Sequence, residues 1–349
     1  MGLGIALGMN VAILAHEKFP DGAKTATGIL RYGDQDVRAV LDHANAGERV
    51  SDLRSGLGDA PVVEGIDDVP GIDAGEIDAL IIGIAPVGGG FDESWRSDVR
   101  GALERGCDVV SGLHYFLAED EGFAALATEN DCELIDVRRP HDDLTVSGGT
   151  ASEVDSHVVL TVGTDCSVGK LTVSYELVGA AREAGIDAAV IPTGQTGIMI
   201  EGWGNPIDRV VSDFTAGAVE EMIAEKGNEY DLLVVEGQGS ITHPAYSAVT
   251  CGILHGAMAD SLVLCHAAGR ERIHGYGDWE VAPIPTYVSL YEELAAPVYE
   301  SEVVAGALNT SHLPESEAET AVETYGEALG VPASDPVRFG AEAILEEIV

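Results

Sequence analysis

Short apolar runs alternate with longer, mixed stretches along the chain. Val37–Asp42, Ala79–Ala85, Asp108–Ser111 and Glu133–Val137 are compact runs dominated by Val, Ile, Leu and Ala. Runs of this length and make-up predict strands buried on both faces, as in parallel sheets. Asp92–Arg105 and Tyr115–Asn130 lie between them and read as helices. The alternation predicts a doubly wound, Rossmann-like α/β domain over residues 1–150. The opening MGLGIALGMNVAILAH is apolar but has no basic leader and is too short to span a bilayer, so it predicts a first buried strand.

Leu144–Asp155, rich in Gly, Ser and Thr, reads as a linker. Beyond it the alternation resumes, with strands expected at Val158–Val162, Ala188–Pro192, Leu232–Val235, Leu262–His266 and Val303–Leu308. Helices are expected at Glu315–Leu329 and Pro336–Ile348. Residues 151–349 thus form a second α/β domain. The 349-residue length suits two cores better than one.

The decisive stretch is His157–Thr172, HVVLTVGTDCSVGKLT. An apolar strand enters a glycine-bounded loop, and Lys170 stands where a helix begins. Inward-pointing N–H groups, the positive end of the helix and the lysine together hold polyphosphate. The expected binding residues are Gly163, Thr164, Asp165, Cys166, Ser167, Val168, Gly169, Lys170, Leu171 and Thr172. Five residues separate the glycines instead of four, and Leu171 occupies the usual place of the magnesium-ligating hydroxyl, with Thr172 one position late. The pattern favours phosphate binding over Mg-ATP hydrolysis, and its wording resembles dethiobiotin synthetase.

Leu232–Ser240, LLVVEGQGS, is an apolar strand ending in an acid, which marks Glu236 as the candidate functional carboxylate. His243 follows closely and is a second candidate base. Pro192–Gly204 is expected on the same rim, where Gln195 and Thr196 offer uncharged donors and Trp203 a stacking surface; a plain flexible loop fits that glycine content equally. Cys166 is read as a small loop residue, with an acyl-cysteine the sharper alternative. Val87–Gly90 follows a strand where α/β sheets open to ligands, or is a flexible turn.

Composition changes the picture in one respect. The chain carries 60 acidic residues against 18 basic ones, a formal charge of −42, with its carboxylates scattered through strands and helices. Such self-repulsion weakens a compact fold at low salt, and at molar salt the screening length falls to about 3 Å. A highly saline cytoplasm, that of a halophilic archaeon, is therefore expected. Nucleic acid is excluded as a partner, because its binding needs basic patches. The five cysteines lack paired spacing and the histidines lack metal-ligand spacing, so reduced thiols and no metal are expected.

Lys24-Thr-Ala26, Arg31-Tyr32, Ser111-Gly-Leu-His114 and Asp136-Val-Arg-Arg-Pro140, with the loop and VVEGQGS, resemble a two-domain P-loop family long labelled as of unknown function. Some members are D-glutamate N-acetyltransferases. The resemblance implies acetyl transfer from acetyl-CoA to D-glutamate or a related acidic amino acid, the loop holding the CoA phosphates. Either Glu236 or His243 would take the amine proton. Lys24, Arg31 and Arg270 would anchor carboxylates, helped by Gln195 and Thr196. The alternatives are an ATP- and magnesium-dependent kinase or ligase and a non-catalytic nucleotide or CoA sensor. A cytoplasmic homo-oligomer acting on a small molecule, away from membranes, completes the expectation.

Overall fold

The computed structural model describes residues 8–86 and 88–349. The chain divides into two compact units. The first comprises residues up to Pro140 together with Gln195–Arg209. Its sheet is built from β1 (Asn10–Leu14), β2 (Asp36–Leu41), β3 (Val62–Val63), β4 (Ala79–Ile82), β5 (Asp108–Ser111) and β6 (Leu134–Asp136), in the order β3-β2-β1-β4-β5-β6. Every pairing is parallel. The order reverses between β1 and β4, the arrangement of a Rossmann-like sheet. β4 is wholly buried, as its unbroken apolar run requires. Helices α1 (Lys24–Tyr32), α2 (Val50–Leu53), α3 (Arg96–Leu103) and α4 (Glu121–Asn130) fall between strands. Of the sequence features noted above, residues 1–7 of the opening segment and Val87 of the glycine cluster lie outside the described residues.

The second unit, His141–Gly194 and Val210–Val349, holds β7 (His157–Gly163), β8 (Ala188–Ile191), β9 (Leu232–Val235), β10 (Ser261–Ala267), β13 (Glu302–Asn309) and β14 (Ala333–Ser334). Their order is β14-β13-β10-β7-β9-β8, again with parallel pairings. β7 is central, between β9 and β10, so the loop at its end lies at the reversal of strand order where such sheets bind ligands. β11 (Arg272–Ile273) and β12 (Tyr276–Glu280) form a separate antiparallel hairpin. The helices are α5 (Lys170–Glu183), α7 (Thr215–Lys226), α8 (Ser247–Ala257), α9 (Ile284–Ala295), α10 (Glu315–Leu329), α11 (Pro336–Phe339) and α12 (Glu342–Leu345).

Three details differ from the sequence-based expectation. The division falls at Pro140/His141, not at 150/151, and the chain later lends a segment to the first unit. That segment opens with α6 (Gln195–Glu201), whose Ile198, Met199 and Ile200 are buried. It is a packed helix, not a rim loop. Gly28 of α1 permits the approach: a Cβ there would lie 2.7 Å from Thr196 Cγ2. The expected terminal helix Pro336–Ile348 is broken into α11 and α12 at Gly340, where φ is +86°, a conformation that glycine adopts without steric cost. Among the described residues, no helix is long and apolar enough to cross a membrane.

Candidate phosphate-binding site

β7 delivers the chain into Gly163–Gly169, and α5 starts at Lys170. Ser167 has φ +54° and Gly169 φ +106°. Two left-handed residues so close together curl the loop before the helix can begin. Lys170 is buried, and its Nζ donates to the Asp165 carbonyl at 2.9 Å and the Gly239 carbonyl at 2.7 Å. Its charge is thereby fixed between the β7 loop and the loop after β9. Gly237 sits against the Thr161 carbonyl where a Cβ would collide, and its N–H donates to Thr161 Oγ1 at 3.0 Å. Gly237 therefore lets the loop after β9 pack directly against β7.

Asp165, fully buried, organises the remaining cations and donors. Its carboxylate accepts from Arg270 Nη1 at 2.8 Å, the His274 N–H at 2.7 Å and the Cys166 N–H at 2.7 Å. His243 Nε2 lies 3.9 Å from it. The His243 ring is also buried; its Nδ1 accepts the Ala245 N–H at 3.1 Å, which puts the neutral ring's proton on Nε2, facing the His274 carbonyl at 3.3 Å. A ring so protonated donates at Nε2. His243 is therefore suited to bracing the loops around it.

Glu236 is 5% exposed and accepts the Gly194 N–H at 3.2 Å, while Thr193 Oγ1 donates to its carbonyl at 2.6 Å. Asp165, Cys166 and His243 bring one metal-ligating atom each within 4.8 Å. Asp165 and His243 are already engaged by Arg270, the His274 backbone and the Ala245 N–H. Leu171 is buried at the position of the usual magnesium hydroxyl.

Beside the loop lies a cavity of about 500 Å³ lined by Ser167, Gly269, Arg270, Arg272, Asn309 and His312, among others. His266, near the loop, shares a 2.7 Å hydrogen bond with Thr164 Oγ1. Burial, reinforced by the Arg270 charge, pushes the His266 pKa down to about 4, so the ring is neutral near pH 7.

The family model described as the P-loop domain of DUF1611, a domain of unknown function, matches residues 145–345, and the Rossmann-like DUF1611 model matches residues 43–140. The chain belongs to the DUF1611 family. A crystal structure of a DUF1611 family protein from Anabaena variabilis superimposes with a TM-score of 0.92 at 36% identity, covering 98% of this chain and 99% of that one. Two curated relatives, from Tritonibacter scottomollicae and a Pseudoalteromonas species, are each 35% identical over 77% of this chain and 80% of their own length. Both are named D-glutamate N-acetyltransferase.

Within this DUF1611 chain, the loop residues, Glu236, His243 and Arg270 all belong to the second unit, whereas Lys24, Arg31, Gln195 and Thr196 belong to the first. Lys24 is exposed at the start of α1, and the Arg31 guanidinium lies 5.9 Å from the Tyr32 ring. Thr196 Oγ1 is spent on Thr25 Oγ1 at 2.8 Å, and Gln195 packs at Gly112. These contacts give Gln195 and Thr196 a structural role inside the first unit. Sequence reasoning missed Asp165 as an organiser, because its partners, Arg270 just before the β11–β12 hairpin and His274 within it, lie more than a hundred residues away.

Proposed function

We propose that the protein transfers the acetyl group of acetyl-CoA to the amino group of D-glutamate, with the β7–α5 loop holding the CoA phosphates. The kinship with two D-glutamate N-acetyltransferases over 77% of the chain carries this reading. The site fits the co-substrate: loop N–H groups, Lys170 and Arg270 suit a pyrophosphate, and the adjoining cavity has room for more of the nucleotide. Leu171 favours a phosphate anchor over metal-assisted phosphoryl transfer, since no hydroxyl replaces it at that position.

Amide formation needs the neutral amine and an acceptor for its proton. Glu236 is the acceptor we assign, a buried carboxylate at the end of β9 beside the loop. Calorimetric titration in molar KCl tests the donor. Acetyl-CoA should bind without magnesium, and ATP should bind weakly with or without it. Tight magnesium-dependent ATP binding with none for acetyl-CoA would replace this reading with a kinase- or ligase-like one.

A further inference from the structure

A second cavity, of about 520 Å³, opens beside the phosphate cavity at the C-terminal ends of β10 and β13. Ala268 and Gly269 line both, so the two adjoin. Its volume lies in the range of small-molecule sites, roughly 300–1,000 Å³. Leu308 and Leu313 contribute apolar walls, and one face of α10 closes the far side through Thr320, Ala321 and Thr324. His266 and Tyr325 form the aromatic part of the lining, with ring centroids 5.6 Å apart and planes 25° from parallel. Tyr325 is held by a hydrogen bond from its hydroxyl to the Leu264 carbonyl at 2.9 Å. His266 is held by Thr164 of the phosphate loop.

The charge pattern of α10 is informative. The helix carries five glutamates, yet only Glu317, in its first turn, lines the trough. The rest of that face is Ser316, Thr320, Ala321, Thr324, Tyr325 and Ala328. On a chain of −42 formal charge, a wall with a single carboxylate, beside a cavity lined by Arg270, Arg272 and Glu271, is a place where a polyanion's uncharged end can lie with little repulsion.

We propose that this trough binds the adenine ring of the CoA nucleotide, so that the base lies along α10 and the diphosphate reaches the loop. The inference rests on the acetyl-CoA reading. It adds the base-binding wall and a prediction separable from catalysis, because a planar, uncharged heteroaromatic ring is what an apolar cleft with an aromatic lining accepts.

The probes are adenosine 3′-phosphate 5′-diphosphate, which is the nucleotide half of CoA, and inorganic pyrophosphate, both titrated calorimetrically in molar KCl. Ala321→Trp fills the trough, and Thr324→Trp, at an exposed position of the same face, guards against a folding defect in the first variant. Each should weaken the nucleotide by roughly tenfold or more, while pyrophosphate affinity stays within about twofold. Nucleotide affinity unchanged in both folded variants would overturn the assignment, as would equal weakening of nucleotide and pyrophosphate. Sedimentation that changes while nucleotide affinity does not would give the trough to a second copy of the chain, also overturning it. Wild-type nucleotide binding that both variants weaken, without any acetyl transfer, would uphold the trough and sink only the transferase reading.

Discussion

At the scale of single residues, the site depends on a few positions that cannot be exchanged. Lys170 is the only cation tied by hydrogen bonds to both the β7 loop and the loop after β9 among those described above. Its replacement by Ala should cost about 1.5–3 kcal/mol of CoA binding, the usual range for a charge-assisted hydrogen bond; isothermal titration of the folded variant measures it. Gly237→Ala should lower stability by about 1–3 kcal/mol, since the new methyl meets the Thr161 carbonyl and one loop must shift. Thermal melts would show this. Glu236→Gln separates two roles: loss of a base should lower kcat by roughly 10²–10⁴-fold with little change in KM for acetyl-CoA. A variant with raised KM and intact kcat would make Glu236 a brace of the loop instead.

At the scale of elements, the wholly buried strands were legible because continuous Val, Ile and Leu runs have no other stable location. Asp108–Ser111 and Leu232–Val235 coincide with their predicted limits, as does the helix Glu315–Leu329. The hairpin β11–β12 was not legible: β12, Tyr276–Glu280, is exposed at every position and shows no alternation of burial. Nor was the placement of α6, which depends on Gly28 and Thr25, some 170 residues away. The strand–loop–helix turn at Lys170 was readable from its flanking glycines. The protonation of His243, in contrast, is fixed by the backbone of Ala245 and His274 and needs the structure.

The end of β10 also carries a pH dependence. His266 titrates at about 4 in the folded protein, against about 6.5 unfolded. Between these values the unfolded chain takes up a proton that the folded one refuses. The contribution to stability is therefore intact above about pH 6.5 and is lost as the pH falls toward 4. His266→Asn should flatten that limb of a melting-temperature series at constant high salt. An unchanged slope would place the acid sensitivity elsewhere.

At the scale of the whole molecule, the formal charge of −42 dominates. Lowering KCl to tens of millimolar lengthens the screening distance to roughly 10 Å or more, and the melting temperature should fall with it. A flat or rising melting temperature on dilution would contradict the saline-cytoplasm expectation. The proposed function, with acetyl-CoA anchored by the loop for transfer to D-glutamate, has a more direct test. The direct measurement is release of CoA thiol from acetyl-CoA in molar KCl, without magnesium or ATP, with and without D-glutamate. Thiol release should require D-glutamate, yield one N-acetylated product per thiol and collapse in Lys170→Ala. ATP consumption requiring magnesium and an acidic or amine co-substrate, with no thiol released from acetyl-CoA, would contradict it.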